Sequence, residues 1–551
     1  MVAALDFGTT YSGYAFSMKH EFMVDPLTIH ANQVWNSGGL LSLKTPTCLL
    51  LDAGKNFVAF GYEAENKYAD LVLDEKQDEY FYFHRFKMKL HNNKNITSDM
   101  VLEDIRGKPI LAVDVFSLSI KALVDHLMKL LEQRGTCLKM TDVQWVLTVP
   151  AIWNDAAKEF MRKSAEKAGI PKERLLLALE PEAASIFCQY LRTAELLGDD
   201  NEFTIFEPGT RYMVVDLGGG TVDITVHEKT EGGKLKELYR ATGNDSGGTS
   251  VDEKFLQLLG KIFGESIITS LKVDGTSAYL DIGRAFETVK RLIEPSMGDK
   301  VNIAIPYSWF DTNCLKLLGK NLTSVIQSSP LKEEISVRGD KIRIDAHLMK
   351  SLFENTIKNI VSLMREVMKD KAVPHVSRIL LVGGFARCLL VQNDIKREFE
   401  DVRVIIPSEC DLAVLKGAVL FGHNPDYVQS RAMRFTYGVE CITFFDHQKH
   451  DRKYLVLVEG VERIGKAFSI FVKKNQIVTA GMAVKQGFCT ITKFQSTMSL
   501  PVFVSKSENP VYTDEDGCTK LCEFAIDLPD PCEEKRWVNV DFIFGNTEIG
   551  V

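Results

Sequence analysis

The stretch DLGGGTVDIT at residues 216–225 places three consecutive glycines between two aspartates, inside a run that otherwise favours β-strand. The flanking segments RYMVV and ITV are rich in β-branched and aromatic residues and predict two strands. Glycine is unfavourable in such a pattern unless the chain turns tightly or another group approaches the backbone closely. The stretch therefore predicts a hairpin whose turn is shaped for close contact.

The N-terminal segment LDFGTTYSGYAF at residues 5–16 follows the same plan. Each of the two stretches runs from a strand to an aspartate, through a glycine-containing turn with threonine, and into a second strand. An internal echo of this kind indicates two related lobes that face each other, each carrying one hairpin.

Turns of this composition are typical of phosphate-binding loops. They expose several backbone N–H groups on one concave side, and glycine has no Cβ to keep a phosphate away. Thr9, Thr10 and Thr221 add hydroxyl donors. Asp6 and Asp216 would repel phosphate unless Mg²⁺ and its waters lie between them. One such hairpin alone is better explained as an ordinary glycine-rich turn, but the pair predicts a clamp for the triphosphate of ATP, with the adenosine between the lobes.

The overall composition excludes several classes of function. The chain has 551 residues, more than one ordinary domain, and a net charge of −8 that disfavours binding to nucleic acid or anionic membranes. No apolar run is long enough to span a bilayer, and the N-terminus MVAALDFGTT has neither the basic region nor the apolar core of a signal peptide. The 11 cysteines are scattered, as is typical of a reducing compartment, so we expect a cytoplasmic protein.

The order of the predicted elements divides the chain in two. Residues 1 to about 430 alternate strand-like and helix-like segments, which predicts an α/β domain. Beyond about residue 430, short alternating runs between turn residues predict an all-β module without a long helix. The clearest helices are predicted at 114–135, 155–169, 249–264, 278–293 and 346–369, and the clearest strands at 143–149, 174–179 and 378–382.

Three further motif-like groups are better explained without a ligand. Gly460–Lys466 matches most of a Walker loop, but Ala467 stands where Ser or Thr should hold Mg²⁺, and a strand pattern follows. The cysteines of the segment 518–532 lack the spacing and the fourth ligand of a zinc knuckle. His447 and His450 are predicted to be surface residues.

Six segments occur in the order typical of the ATPase domain of the heat-shock 70-kDa protein family. They are LDFGTTYSGYAF (5–16), TVPAIWND (148–155), LEPEAAS (179–185), VDLGGGTVD (215–223), ETVKRLIEPS (287–296) and LVGGFAR (381–387). With these segments and FHRFKMKL at 83–90, the chain resembles a divergent branch of that family, most clearly over residues 1–430.

The resemblance implies an α/β fold, in which a two-lobed, actin-like ATPase domain with a duplicated ribonuclease H-like core is followed by a small all-β module. Lobe I would comprise about 1–209 plus 406–430, and lobe II about 210–405. Residues 431–551 would form a β-sandwich-like module of the substrate-binding type without a helical lid.

The resemblance also implies roles for single positions. The two phosphate hairpins would contribute Asp6, Gly8, Thr9, Thr10, Tyr11, Asp216, Gly218, Gly219, Gly220, Thr221 and Asp223. The rest of the nucleotide would be bound by Gly247, Gly248, Glu287, Lys290, Arg291, Gly383, Gly384, Phe385, Arg387 and Asp411. Pro150 and Lys158 would belong to the switch that follows the nucleotide state.

The resemblance also implies that Lys87, Glu180, Asp6 and Asp216 carry the hydrolysis of ATP to ADP and phosphate. Lys87 would neutralise charge at the γ-phosphate, although Lys89 is close enough to leave this assignment open. Asp6, and Asp216 through water, would fix Mg²⁺, and Glu180 with Asp216 would orient the attacking water. Taken singly, Glu180 is better explained as a helix cap and Lys87 as a solvated charge, but the ordered set favours the site.

Several features depart from the family pattern. Lys158 stands where the main family has an arginine that relays the nucleotide state, and GHNPDYVQSRAMRF (422–435) replaces an acidic, leucine-rich linker. The all-β module is short, and an inserted segment at roughly 20–45 lengthens the first lobe. Binding of ATP, ADP and Mg²⁺ survives these changes. Coupled peptide binding does not follow from what remains, and J-domain and nucleotide-exchange partners stay undecided.

We therefore predict an ATP-binding, slowly hydrolysing chaperone-like protein of the heat-shock and stress-response type, with client or signalling proteins as partners. A nucleotide-dependent scaffold or signalling protein with negligible turnover is the alternative, favoured by the absent linker and lid. A sugar or acid kinase of the same superfold would need a catalytic aspartate in the first lobe, and the sequence does not reveal one.

Overall fold

The computed structural model describes residues 1–32, 35, 43–93, 96–191, 196–197, 207–371, 373 and 375–551, so the predicted insertion at roughly 20–45 lies partly outside the described residues. The first elements are β1 (Val2–Phe7), β2 (Tyr11–Ser17), α1 (Lys19–Val24), β3 (His30–Ala31), β4 (Thr45–Pro46), β5 (Cys48–Leu51), β6 (Phe57–Phe60), α2 (Tyr62–Leu73), β7 (Phe81–His84), β8 (Val101–Glu103), β9 (Pro109–Leu111), α3 (Ala112–Gln133), β10 (Gln144–Val149), α4 (Asp155–Lys167), β11 (Leu175–Leu179), α5 (Glu180–Cys188) and β12 (Leu196–Leu197).

The first large sheet places three predicted site segments at one edge. Its strand order is β11-β10-β1-β2-β3, with β1 antiparallel to β2 and parallel to β10, and β10 parallel to β11. The carboxyl ends of parallel strands lie at the same edge of a sheet, which is where open α/β sheets bind ligands. The first hairpin turn, Pro150 and Glu180 directly follow β1, β10 and β11 and therefore share this edge.

The middle of the chain repeats this plan in a second sheet. Its elements are β13 (Arg211–Leu217), β14 (Val222–Lys229), β15 (Leu235–Asn244), α6 (Gly248–Phe263), α7 (Glu265–Val273), α8 (Thr276–Lys290), β16 (Val301–Ala304), α9 (Tyr307–Leu318), α10 (Leu322–Ser328), β17 (Ile335–Arg338), β18 (Lys341–Ile344), α11 (Ala346–Lys369), β19 (Arg378–Val382), α12 (Leu389–Glu398), β20 (Arg403–Pro407) and α13 (Ala413–His423). Here β13 is parallel to β19, and β19 is parallel to β20. The second hairpin turn and Gly383 thus follow neighbouring parallel strands.

Several predicted elements are confirmed with small shifts of their ends. The helix predicted from Asp114 begins at Ala112, and the strand RILLV spans Arg378–Val382 as predicted. Asn154 caps α4, because its side chain accepts a hydrogen bond from Ala157 N at 2.8 Å. The helices α9 and α10, the three-stranded sheet β16-β18-β17 and the strand β15 were not predicted.

The C-terminal part of the chain is built from strands, as its alternating pattern predicts. They are β21 (Val428–Ala432), β22 (Thr436–Phe444), β23 (Leu455–Val458), β24 (Val461–Val472), β25 (Ile477–Thr479), β26 (Met482–Cys489), β27 (Thr497–Ser505), β28 (Cys518–Asp527) and β29 (Trp537–Phe544). Five of them form an antiparallel sheet in the order β23-β24-β22-β27-β28, and β26 pairs with β29. Val439, Val472, Val478 and Phe544 lie at the centre of their shared core.

The chain divides into two compact units. The first comprises Met1–Ile224 and Thr242–Pro425, and the second comprises Thr225–Ala241 and Asp426–Val551. All residues that the sequence assigns to nucleotide binding, catalysis or the switch belong to the first unit. The lobe boundaries remain predictions.

Candidate functional site

The first hairpin turn, Gly8–Thr10, is held by one residue from outside the hairpin. Thr47 Oγ1 donates a hydrogen bond to the Gly8 carbonyl at 2.8 Å, and the backbone N–H of Thr47 donates to the Thr10 carbonyl at 2.9 Å. In both hydrogen bonds the acceptor is a carbonyl group of the turn, so the N–H groups of the turn are not involved in them. Thr47 lies immediately before β5, so the turn is anchored on a strand that the nucleotide prediction did not include.

The second hairpin turn, Gly218–Thr221, is closed by a hydrogen bond from Gly218 N to the Thr221 carbonyl at 3.0 Å. The start of α6 lies against this turn. Its first N–H groups donate to the carbonyls of the three turn glycines at 3.3, 3.1 and 2.8 Å, and the donors are Gly247, Gly248 and Thr249. The structure therefore brings the predicted residues Gly247 and Gly248 next to the second hairpin.

The glycines of the second turn allow the two hairpins to touch. A Cβ on Gly219 would lie 2.2 Å from Thr10 Oγ1, and a Cβ on Gly220 would lie 2.7 Å from Thr9 Oγ1. Such distances are far below van der Waals contact, so only glycine permits this approach. The sequence predicts close contact at these glycines, and in this structure the approaching group is the opposite hairpin. A phosphate between the turns requires them to move apart.

Four carboxylates assigned by sequence to the site converge beside the hairpins, namely Asp6, Glu180, Asp216 and Asp223. Asp6, Asp216 and Asp223 are no more than 5% exposed. Burial raises the pKa of Asp216 well above its ordinary value, and repulsion from the Glu180, Asp223 and Asp6 carboxylates adds to this rise. The site thus favours the neutral form of Asp216 in the absence of an added cation.

Lys87 forms the central ion pair of this group. Its Nζ lies 2.9 Å from Glu180 Oε1 and 5.1 Å from the centre of the Trp153 ring, and its side chain is 3% exposed. Burial raises the pKa of Glu180 to about 7, although the charge of Lys87 opposes this rise. Lys89 is exposed. Of the two lysines that the sequence leaves as candidates, the structure places Lys87 in the site.

A second lysine, Lys44, occupies a place that the sequence did not reveal. Its Nζ lies 2.5 Å from Asp6 Oδ2 and donates a hydrogen bond to the Asp411 carbonyl at 2.9 Å. The other carboxylate oxygen of Asp6 accepts a hydrogen bond from Thr148 Oγ1 at 3.0 Å. Burial would raise the pKa of Asp6, but Lys44, Lys87 and Thr148 together lower it. Asp6 is therefore a charged aspartate, and each of its carboxylate oxygens accepts a hydrogen bond.

The predicted switch segment contacts the second hairpin through Asp223. Pro150 ends the run of β10, and two residues later the backbone N–H of Ile152 donates to Asp223 Oδ1 at 2.9 Å. Lys158 lies on α4, where its Nζ is 3.9 Å from Asp155 Oδ1. The structure brings Pro150 close to the acidic group and places Lys158 on the helix that follows.

Position 383 requires glycine, because its backbone lies very close to Asp216. Its φ is +91°, and a Cβ at this position would lie 2.3 Å from Asp216 Oδ1 and 2.5 Å from the Leu217 carbonyl oxygen. The N–H of Gly383 donates to the Cys410 carbonyl at 2.8 Å. Gly384, Phe385 and Arg387 form the single 3₁₀ turn that follows, Gly384–Arg387. This loop therefore borders the acidic centre.

The residues predicted beside the adenosine form one ionic network. Lys290 Nζ lies 2.6 Å from both Glu287 Oε2 and Asp252 Oδ1, and Arg291 lies 2.8 Å from Glu287 Oε1. Arg85 approaches Asp252 at 2.7 Å, so it joins the network from the far side. Lys290 and Arg291 lower the pKa of Glu287 against the effect of burial. The network links α8, α6 and the segment after β7.

Tyr11 and Asp411 complete the predicted set. The Arg291 guanidinium lies 5.2 Å from the centre of the Tyr11 ring, a distance that favours cation–π attraction. Burial and the Glu287 charge raise the pKa of Tyr11. Arg387 NH1 lies 3.2 Å from Asp411 Oδ2, and the Arg387 side chain is half exposed. A flat guanidinium at the surface of the site is suited to stacking on a base.

The donor set fits Mg²⁺ beside Asp216 but not at Asp6. Mg²⁺ keeps most of its waters and is usually bound by one or two carboxylates with substrate phosphates. Among the described residues, no group of three His, Cys, Asp or Glu side chains is arranged to hold a metal ion by itself, so a metal ion here depends on water and phosphate oxygens. Asp216 could hold such a hydrated ion, with Asp223 and Glu180 near it. Lys44 and Thr148 already occupy Asp6, so the Asp6 part of the metal prediction does not fit this geometry.

A cavity of about 100 Å³ is lined by Thr10, Tyr11 and Glu287, three residues of the predicted nucleotide set. Two ion pairs, Arg85–Asp252 and Glu65–Arg284, line it together with apolar side chains of α6 and α8. None of the residues from the second hairpin, all of them described, lines this cavity. It is therefore a neighbour of the predicted nucleotide site.

The residues missed by sequence reasoning share one reason. Lys44, Thr148, Arg85 and Asp252 act only through partners that are distant in sequence, and the Lys44–Asp6 separation is 38 positions. No motif around Lys44 identifies it as a site residue, because it is a single lysine that directly precedes a short strand. Thr148 carried a weak signal, because a threonine in a buried, otherwise apolar strand needs a hydrogen-bond partner.

The alternative motifs carry no site in the described part of the structure. Most of the Walker-like segment lies in strand β24, and Lys466 pairs with Asp514 at 3.2 Å. All 11 cysteines are free, and the His447 side chain is 55% exposed. Within the described ranges of the chain, no helix combines the length and apolar character needed to cross a bilayer.

Comparison with known proteins agrees with this arrangement. The family model described as "Hsp70 protein" matches residues 84–542. The chain is 33% identical to heat shock 70 kDa protein 12A of Mus musculus over 603 aligned residues, and 34% identical to the Homo sapiens 12A protein over the same length. It is 34% identical to heat shock 70 kDa protein 12B of Homo sapiens over 612 aligned residues. Each comparison covers 100% of this chain and 88% of the relative.

The match over most of the chain confirms the resemblance predicted from the six ordered segments. The mixed α/β architecture, with two sheets that each carry one hairpin, fits the actin-like ATPase fold of this family. The chain belongs to the Hsp70 protein family.

Proposed function

We propose that the chain binds ATP and ADP between its two hairpins and hydrolyses ATP slowly as a chaperone-like protein. Family membership supports nucleotide binding. The observation that carries the proposal is the buried pair of Lys87 and Glu180, 2.9 Å apart, at the edge of the sheet that also carries the first hairpin. A buried ammonium beside an acid whose pKa is near neutrality is an arrangement suited to catalysis.

Each group has a role that follows from its charge. Transfer of the γ-phosphoryl group to water needs a water in line with the leaving oxygen and positive charge near the phosphoryl oxygens. Lys87 supplies that charge, and it is released from Glu180 when the phosphate takes its place. Glu180, with a pKa of about 7, accepts a hydrogen bond from the attacking water. A bound Mg²⁺ would add charge neutralisation beside Asp216.

The expected rate is low, because Lys87 is paired with Glu180 and must be released before it can neutralise the phosphate. Binding also requires the hairpins to separate, since Thr10 and Gly219 are in contact. Nucleotide would therefore favour a state in which the hairpins stand apart, a population shift of the first unit. Client or signalling proteins and a cytoplasmic location belong to this proposal as well.

A pair of matched variants tests the catalytic role. Lys87→Met should reduce steady-state phosphate release from ATP by about 100-fold while ADP affinity changes much less, because only the transition state needs the full charge. Lys89→Met is the control, since Lys89 is exposed in the same short turn. Equal rates for the two variants would remove Lys87 from the mechanism.

A nucleotide-dependent scaffold with negligible turnover is the second candidate. It is favoured by the segment 422–435, which is divided between the end of α13, a 3₁₀ turn and strand β21 and has no acidic, leucine-rich character. Tight binding of ADP by titration calorimetry, together with phosphate release no faster than that of Lys87→Met, would favour the scaffold. Turnover that appears only with an added sugar would favour a kinase.

A further inference from the structure

We propose that the Lys44 ammonium is a built-in cation at Asp6, so that this chain binds adenine nucleotide with little dependence on free metal ions. This inference rests on the proposed nucleotide site. It concerns a residue to which the family resemblance gave no role, and it replaces the expectation that a hydrated metal ion bridges Asp6 and Asp216.

The contacts of Asp6 carry the argument. Lys44 Nζ lies 2.5 Å from Asp6 Oδ2, and Thr148 Oγ1 donates to Asp6 Oδ1 at 3.0 Å. The Asp6 side chain is 7% exposed and the Lys44 side chain 18% exposed. A metal ion that used Asp6 would have to displace an ammonium that is tethered to the same site by its own chain. A tethered partner acts at high effective concentration, so displacement by a free ion is unfavourable.

Lys44 also contacts a second chain segment that borders the acidic residues. It also donates to the Asp411 carbonyl at 2.9 Å, on the chain segment that holds Gly383 through Cys410. Gly383 in turn approaches Asp216, because a Cβ at position 383 would lie 2.3 Å from Asp216 Oδ1. The Lys44 ammonium therefore joins Asp6 to the chain segments that border Asp216.

The electrostatic consequence is a site whose negative charge is already partly neutralised. Lys44 and Lys87 carry two positive charges against the carboxylates of Asp6, Glu180, Asp216 and Asp223. A polyphosphate entering between the hairpins meets an ammonium beside Asp6, where it would otherwise meet an unpaired carboxylate. The repulsion that a metal ion normally relieves is thus reduced in advance.

A purely structural ion pair is the competing explanation, since a buried aspartate needs a partner in any case. The two explanations differ in one measurable property. A structural pair affects thermal stability and leaves the metal dependence of nucleotide binding unchanged. A built-in cation controls that metal dependence.

The test is calorimetric titration of the full chain with ADP, once with excess Mg²⁺ and once with EDTA. The variants are Lys44→Met, which has similar length without charge, and Lys44→Arg, which keeps the charge. Lys67→Met serves as control, because Lys67 forms an exposed pair with Glu63 on the helix α2. Thermal melting of each variant shows whether it is folded, and the Lys44→Arg data stand alone if Lys44→Met does not fold.

For the wild type and Lys67→Met, we expect the ADP Kd to rise less than about tenfold when Mg²⁺ is replaced by EDTA. For Lys44→Met, we expect a rise of more than about 100-fold, with Lys44→Arg close to the wild type. A wild type as metal-dependent as Lys44→Met would overturn the inference and leave the nucleotide site standing. If Lys44→Met does not fold, the Lys44→Arg variant decides. An ADP Kd that rises more than about 100-fold in Lys44→Arg when Mg²⁺ is replaced by EDTA would also overturn the inference. Absence of ADP binding under every condition would instead overturn the proposed function.

Discussion

At the scale of single residues, the site is a balance of buried charges. Lys44 pairs with Asp6 and Lys87 pairs with Glu180, whereas Asp216 is surrounded by other carboxylates. Removing one partner of a buried ion pair leaves an uncompensated charge, which is strongly destabilising. The raised pKa of Asp216 means that its charged form is disfavoured by burial and by the neighbouring carboxylates, so an amide of the same shape replaces it at a smaller cost. The aspartates at the ends of the two hairpin strands should therefore respond differently to the same substitution.

The variant Asp6→Asn should lower the free energy of unfolding by about 3 kcal/mol, because it leaves the Lys44 ammonium buried without its carboxylate. The variant Asp216→Asn should lower it by less than about 1 kcal/mol, because asparagine resembles the protonated acid. Urea denaturation at pH 7 measures both values. Asp216→Asn should also weaken binding of the magnesium–nucleotide complex by up to about tenfold, because it removes the carboxylate that we propose for the metal ion.

Similar losses of stability for the two variants would show that Asp216 is charged and paired in the folded protein. Gly219→Arg is a companion variant, since it fills the contact with Thr10 with a bulky side chain and adds a positive charge. It should weaken nucleotide binding although the added charge attracts phosphate, because the side chain occupies the space between the two turns.

At the scale of secondary-structure elements, the position of Glu180 depends on the packing of α5 against α13. Glu180 is the first residue of α5, and Gly417 lies on α13 where a Cβ would be 1.7 Å from the Ala183 carbonyl oxygen. The two helices can approach this closely only because position 417 has no side chain. Glu180, the proposed catalytic glutamate, therefore depends for its position on this close contact between the two helices.

The variant Gly417→Ala should lower the free energy of unfolding by about 2 kcal/mol or more, because the added methyl group forces α5 and α13 apart. Gly283→Ala is the matched control. Gly283 also lies inside a helix, α8, but a Cβ there would point into open space, so alanine should stabilise that helix by about 0.5–1 kcal/mol. Opposite signs for the two changes in thermal melting would agree with this explanation, and a stabilising Gly417→Ala would contradict it.

At the scale of the whole molecule, the question is whether nucleotide state in the first unit controls the second. The chain between them contains no acidic, leucine-rich linker, and Lys158 is engaged near Asp155 on its own helix. The second unit has a core of its own, built from several strands of the C-terminal part of the chain. We therefore expect nucleotide binding without the peptide-dependent turnover of a fully coupled chaperone.

The variant Lys158→Arg should not create stimulation of ATP hydrolysis by an unfolded peptide, because the arginine would have no suitable linker to act on. Steady-state phosphate release with and without peptide measures this. A ratio near one is expected for both the wild type and the variant. Recovery of stimulation by this single change would show that the segment 422–435 transmits the nucleotide state after all.

The sequence by itself determined the family and the clearest helices and strands. Periodicity and turn residues predicted the α/β part, the all-β part and most of the helix ends, because these signals act between residues close in the chain. The paired hairpins and their ordered neighbours predicted the residues of the candidate site, of which Lys87, Glu180 and Asp216 lie together in the structure. The lobe boundaries and the roles of single residues remain predictions.

Only the tertiary structure decided which charges meet. It selected Lys87 over Lys89, revealed Lys44 beside Asp6, and showed that the turn glycines serve the contact between the two hairpins. Ion pairs and backbone contacts of this kind join residues tens to hundreds of positions apart. Their geometry depends on how the sheets and helices pack. The residues next to a charged group in the chain therefore do not reveal which distant residue will be its partner.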